Sequence, residues 1–240
     1  MILANKIIGE TPLELIKRVA NNGQKTTYAG RLDPMASGLM VLLQDNEVID
    51  KNKYLSLDKQ YDLKILFGLS TDSYDTLGII TNQDLNSNIL ESDIKKVIKD
   101  YKKSYSQTYP PYSSKTVKSK PLWWWAKNNK LNQIEIPTKN VVIKQIDITN
   151  IYKIKISTLV KDILNNISKV KGDFRQEDII SQWKELQKNN QDKLMTVATL
   201  IISCTSGTYM RSIANQVGKD LGIPALALKI NRTKIGKYTI

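Results

Sequence analysis

In the stretch YAGRLDPMASGLMVLL, residues 28–43, Arg31 and Asp33 are separated by one residue, and Pro34 follows directly. Gly30, Ala36, Ser37 and Gly38 are small, and an apolar run comes after them. An Asp before Pro is most simply a turn residue or a helix cap. The chemical reading starts from the neighbours. Small residues let backbone approach a bulky ligand closely, and the apolar run would fix the loop against a core. A carboxylate is charged at neutral pH in any ordinary setting and needs no partner base. Such a group can attack an electrophilic carbon directly, and glycosidic or activated ring carbons are its natural targets. The other residue types narrow the choice. The chain has no His and one Cys, Cys204. That excludes imidazole acid–base work, Ser-His and Cys-His nucleophiles, the usual zinc ligand sets and an internal disulfide. Carboxylate, Lys, Tyr and backbone chemistry remain.

Lys and Arg number 36 against 23 Asp and Glu, a formal charge of +13 over 240 residues. Such an excess points to a polyanionic partner, most simply nucleic acid, although a Lys-rich composition alone would produce it. Only Arg18, Arg31, Arg175, Arg211 and Arg232 are arginines. In so Lys-rich a chain, Arg is expected where a planar, two-pronged donor is needed. The 41% hydrophobic content supports a substantial core, no apolar run approaches a membrane span, and the N-terminus lacks a signal-peptide pattern. A cytoplasmic or organelle-matrix setting is the expectation.

The elements that would position these residues follow from pattern. Thr11, Pro12 and Glu14 form a capping box that opens a helix over 11–23, stopped by NNG at 21–23. GLMVLL (38–43) reads as a buried strand and YDLKILFGL (61–69) as an alternating one. Residues 70–78 read as a turn-rich loop, with a strand beginning at GIIT, and 91–103 as a basic amphipathic helix. The segment 104–127 reads as irregular because of Pro110-Pro111. If extended there, Trp123 and Trp125 share a face and Trp124 opposes them; the run packs in a core or stacks on a base. Strands are expected over 140–156 and 197–204, the latter burying Cys204, and a glycine turn leads into a helix after 205. Between those strands, residues 157–190 carry two helical stripes, with Gly172 ending the first and Asp173 with Gln176 capping the second. The reading is one mixed α/β domain over 1–240 with an inserted helical hairpin at about 157–190.

At this point the motifs, taken in order, resemble one family. AGRLDPMASGLMVLL is similar to the catalytic motif of pseudouridine synthases, in particular the TruB family, which makes pseudouridine 55 in the T arm of tRNA. NKIIGETPLELIKRV (5–19), KQYDLKILFGLSTDSYDTLGII (59–80), QTYPPYSSKTVKSKPLWWWAK (107–127) and CTSGTYMRSIANQVGKDLGIPALALKINRTKIGKY (204–238) resemble its other conserved stretches in the same order. Only the hairpin near 157–190 lies outside the resemblance.

The resemblance implies an α/β (α+β) fold with a mixed, largely antiparallel sheet flanked by helices. It implies isomerisation of a uridine in tRNA, with no cofactor and no metal, by a protein that is a monomer and associates with no membrane. Asp33 matches the catalytic aspartate, Tyr61 the tyrosine that stacks on the target base, and Arg211 the arginine that pairs with the aspartate. Ile230 stands where the family has a pocket-lining Leu. Lys6, Tyr112 and Lys120 match substrate-side contacts, and Arg232 belongs to an Arg pair whose first member is Asn231 here. Tyr28 replaces a His that helps bind or flip the base, so stacking would take over that step. Arg31 replaces a small polar residue and would add a phosphate contact. Ending at Ile240, the chain is expected to lack the C-terminal PUA-like RNA-binding domain of bacterial members, with the hairpin or the raised charge compensating. Two other classes stay open: a non-catalytic tRNA-binding or folding protein on the same scaffold, and a carboxylate-dependent glycosidase. The second requires another acid beside Asp33, which the motifs do not clearly offer.

Overall fold

A computed structural model describes all residues except Asn21, Asn22, Asn88 and Ile240. The chain opens with β1 (Ile2–Lys6) and α1 (Pro12–Val19), then passes through β2 (Thr26–Tyr28), β3 (Ala36–Gln44) and α2 (Lys51–Ser56) to β4 (Lys59–Phe67). A short hairpin of β5 (Leu69–Thr71) and β6 (Ile80–Gln83) precedes α3 (Glu91–Lys99) and β7 (Ser104–Thr108). The two-residue strands β8 (Thr116–Val117) and β9 (Lys120–Pro121) lead into α4 (Leu122–Lys127). The long β10 (Thr138–Lys155) is followed by α5 (Ile156–Ile167), α6 (Gln176–Asn190) and β11 (Leu194–Cys204). Helix α7 (Met210–Asp220), β12 (Ala225–Ile235) and β13 (Tyr238–Thr239) complete it.

The main sheet runs β1-β3-β12-β4-β11-β10-β7, with β2 beside β3 and β13 beside β12. Every pairing is antiparallel except β3 with β12. The sheet is therefore mixed and largely antiparallel, as the family resemblance implies. Alternation along β4 sorts its side chains. Tyr61, Leu63, Ile65 and Phe67 join α3 and α7 in one core through Ile94, Ile98, Ile213 and Val217. On the other side Leu66 meets Val197, Leu226 and the apolar stripes of α5 and α6, including Leu159, Ile163, Ile179 and Trp183. Each large side chain buried this way contributes about 1.5–3 kcal/mol.

Several boundaries differ from expectation. The capping box forms, with Thr11 N donating to Glu14 Oε2 at 2.8 Å and Glu14 N to Thr11 Oγ1 at 3.2 Å. The helix nevertheless ends at Val19, with Ala20 already extended. Asn21 and Asn22 of the expected stop lie outside the described residues. The helix expected over 91–103 ends at Lys99, because Ser104–Thr108 pairs with β10. The tryptophans are not extended. Pro121, which has no N–H to lose, precedes α4, and Trp123, Trp124 and Trp125 sit on its turns. The second capping pair is also built differently: Asp173 Oδ1 accepts from Arg175 N and Gln176 Oε1 from Phe174 N, leaving Arg175 itself at the helix start.

The parallel pairing of β3 with β12 sets the site. Ile230, Asn231 and Arg232 lie opposite Ala36, Ser37 and Gly38. Gly38 adopts φ +111°, and a methyl on it would run into the backbone of Arg232. Its smallness makes room for a strand and not, as the sequence reading had it, for a ligand. Gly38→Ala should therefore lower stability by about 2–4 kcal/mol from backbone strain and overpacking. A thermal melt should show Tm falling by roughly 4–8 °C or more.

Candidate active site

Asp33 stands on the bend that delivers the chain into β3, its carbonyl accepting from Ala36 N at 3.0 Å. Two buried cations fix this bend from behind. Lys6 is fully buried, and its ammonium donates to the carbonyls of Ala36 at 2.6 Å, Ile7 at 3.1 Å and Pro34 at 3.5 Å. Arg232 donates from Nε to Leu39 O at 2.8 Å and from Nη1 to Arg31 O at 3.2 Å. Burial brings the Lys6 ammonium down to about 8, an effect that the nearby Asp33 charge only partly opposes. Lys6 thus reaches the site through the loop it holds. The direct substrate contact expected of it is corrected by its burial.

Arg211 comes from the first turn of α7 and is 2% exposed. Its Nε donates to Asp33 Oδ2 at 2.8 Å, Nη1 to Ser73 O at 2.8 Å and Nη2 to Tyr112 O at 3.0 Å. A second carboxylate faces it: Asp75 Oδ2 lies 3.7 Å from Nε. Burial works against the Arg211 charge, and Asp33 and Asp75 more than restore it, so its affinity for the proton rises. Asp75 is itself buried and its carboxyl is pushed up by that burial, with Arg211 pulling the other way. Its Oδ1 accepts from Ser73 Oγ at 2.7 Å and Leu77 N at 2.9 Å. The sequence reading found no clear second acid near Asp33. The structure supplies one across Arg211, with Oδ1 committed to the loop and Oδ2 facing the guanidinium.

Two cavities meet at Asp33 and Arg211. One, of about 300 Å³, is lined by Tyr61, Ile230, Arg232 and the approach to α7. Tyr61 lies opposite Arg232, and Ile230 opposite Ala36 and Leu63, so pairing with β12 brings them beside Asp33. Burial raises the Tyr61 phenol, which stays neutral. Lys59 also lines this cavity, its ammonium held by Leu55 O and Leu57 O and lowered by burial to about 8. The other cavity, of about 450 Å³, is lined by Tyr28, Arg31, Tyr112 and Trp123, and also by Phe174 and Arg175 from the α5–α6 connection. Tyr28 is half-buried, with Arg31 and Lys51 over its ring at 5.8 and 5.5 Å. Burial takes the Tyr112 phenol up to about 12. Lys120 lies away from both cavities, over the ring of Trp124 at 5.3 Å. Of the tryptophans, Trp123 is 45% exposed, while Trp125 donates to Val117 O.

Sequence reasoning assigned no role to Asp75, Lys59, Phe174 or Arg175. The one available signal was the scarcity of arginine, which marks each Arg as a fork with something to hold.

The sequence pattern of the TruB family pseudouridylate synthase N-terminal domain matches residues 17–163. The chain is 30% identical to tRNA pseudouridine synthase B of Mycoplasma mycoides subsp. mycoides, over all of this chain and 69% of that protein. It is 28% identical to the protein of the same name from Borreliella afzelii, over all of this chain and 70% of the relative. Among solved structures it resembles a Cbf5-Nop10-Gar1 complex with a TM-score of 0.61 at 15% identity, and an H/ACA RNP bound to a substrate RNA containing 2'-deoxyuridine with a TM-score of 0.58 at 14% identity. Each likeness covers 98% of this chain but only 48% and 47% of the matched chains, about half their length.

The Lys6 contacts carry a pH signature. Its folded value of about 8 lies below the ordinary 10.5, so between those values the unfolded chain binds more protons. Unfolding free energy therefore rises with pH across that window. Urea titrations should show the stability difference between wild type and Lys6→Met moving by about 2 kcal/mol in favour of wild type from pH 7 to 10. A flat difference would mean the ammonium is not desolvated.

Proposed function

We propose that this chain, which belongs to the TruB family of pseudouridylate synthases, isomerises one uridine of tRNA, U55 of the T arm, to pseudouridine. The observation that carries the reading is the Asp33 carboxylate held by a buried Arg211 at the meeting of two cavities, one of them floored by Tyr61 and Ile230. A uridine inside a folded arm cannot reach such a carboxylate in its stack, so the nucleotide turns out of it. Tyr61 stacks on the flipped uracil and Ile230 closes the apolar side. Tyr28 receives the base by stacking in place of the imidazole this chain lacks. The C1′–N1 bond breaks, the base rotates and C1′–C5 forms, and the proton lost from C5 is balanced by one taken up at N1. Asp33 drives the exchange, by addition at C1′ or C6 or by taking a proton from the sugar. Arg211 orients the carboxylate through a charge-assisted bond. No metal or cofactor takes part. The basic excess supplies phosphate contacts, Arg31 among them, and binding weakens steeply with salt. The setting is cytoplasmic and the working unit a monomer.

The test is an unmodified tRNA transcript incubated with wild type and with Asp33→Asn, followed by mapping of pseudouridine. Wild type should convert U55, and Asp33→Asn should be slower by more than about 10⁴-fold while still binding the RNA. Binding without product from wild type would favour a non-catalytic tRNA-binding role. Product from Asp33→Asn at the wild-type rate would remove Asp33 from the chemistry, and conversion at another uridine would remove the U55 assignment.

A further inference from the structure

Helices α5 and α6 stand between β10 and β11, which are neighbouring antiparallel strands already paired at their ends through Lys155 and Leu194. A short turn would close that pair, so the sheet itself does not require a helical hairpin there. Nor does the hairpin read as a phosphate-binding arm. Its basic residues Lys161, Lys169, Lys171, Arg175, Lys184 and Lys188 are nearly matched by Asp162, Asp173, Glu177, Asp178 and Glu185.

Three of its side chains, Arg175, Gln182 and Trp183, reach residues 72–80 instead. Arg175 Nη1 and Nη2 grip Asp72 Oδ2 and Oδ1 at 2.6 and 3.1 Å. The same guanidinium lies 4.4 Å over the ring of Tyr112, whose hydroxyl also donates to Asp72 at 3.2 Å. Gln182 Oε1 accepts from Ile80 N at 2.8 Å, and Trp183 Nε1 donates to Thr76 O at 3.3 Å. Asp72 Oδ1 accepts from Ile79 N at 2.9 Å, so the carboxylate gripped by Arg175 also ties the two ends of the loop together. Inside that loop lie Ser73 and Asp75, both of which face Arg211. Arg175 holds φ 63°, a left-handed conformation uncommon outside glycine, and the tip is tied down further by Asp173 on Lys127 at 2.5 Å.

We infer that the α5–α6 hairpin is a buttress for the 72–80 loop, with Arg175 as a positioning residue that acts through Asp72 on Asp75 and Ser73, and through them on Arg211 and Asp33. The kinetic part of this inference rests on the reading of the site given above; the mechanical part does not.

The test uses the full chain carrying Arg175→Ala, Asp72→Asn or both. Turnover on the tRNA transcript and amide hydrogen exchange of residues 71–80 in the free protein are both measured. Arg175→Ala should lower kcat by roughly 10- to 100-fold, because a misplacement of about 1 Å can cost about 100-fold. KM should change by less than about twofold, as expected when ground-state binding is untouched. Asp72→Asn should act alike, and the double variant should be no slower than either single one. Exchange at 71–80 should quicken about tenfold. Arg175→Lys, which keeps the charge but loses the fork, should recover only part of kcat, and it carries the same comparison if the alanine variant is too unstable to assay. Unchanged kcat with a raised KM would overturn the inference and make Arg175 an RNA ligand. Unchanged exchange at 71–80 would overturn the buttress whatever the activity. Because exchange is read without RNA, that failure is distinct from an absence of pseudouridine in the wild-type reaction.

Discussion

A guanidinium buried to 2% exposure organises this molecule. Removing an ion from water costs several kcal/mol even after relaxation, so Arg211 is tolerable only while its donors are matched. The acceptors come from three places distant in sequence: Asp33, the loop of Ser73 and Asp75, and the carbonyl of Tyr112. Each of those segments is irregular and would otherwise be free to choose its course. The need to satisfy one cation makes their positions interdependent. A disturbance in any of them is felt at the carboxylate of Asp33.

The chain solves its other placement problems in the same way. Lys6, Lys59 and Arg232 are buried, and each donates to backbone carbonyls. Lys6 and Arg232 pin the two flanks of the Asp33 bend. Cations used as fasteners give a protein without histidine a rigid site, and they surround the Asp33 carboxylate with positive charge. The arginines follow chemistry more than composition. Arg18 forks onto Glu10, Arg175 onto Asp72, and Arg211 and Arg232 reach two or more acceptors each.

Much of this was legible in the chain. The strands read from alternation and apolar runs are present, and the ordered motifs brought Asp33, Tyr61, Arg211 and Ile230 to one place. The misreadings share a cause. Periodicity reports which face of an element is apolar, but not what lies opposite it. Gly38 looked like clearance for a ligand because its partner, the Arg232 backbone, is far away in sequence. Lys6 looked like a substrate contact because nothing local shows that its ammonium is sealed. Asp75 sat in a matched motif without a role because its partner comes from a helix far along the chain. The tryptophan run was read as part of an irregular segment, whereas the proline before it starts a helix.

The central position of β12 has a consequence for how the molecule comes into being. It fills the space between β3 and β4, strands that are consecutive long strands in sequence but do not pair with each other. Asp33 and Arg211 are separated by 178 positions, and Ser37 and Asn231 by 194. During synthesis from the N-terminus, β3 and β4 therefore emerge with their mutual edges unpaired, apolar and open to other chains until the last long strand arrives. Non-local pairing of this kind is slow, so the interval is a hazard of aggregation. It also means that no fragment ending before β12 holds a working site, and a ribosome interrupted short of it releases a product that is inert and sticky at once.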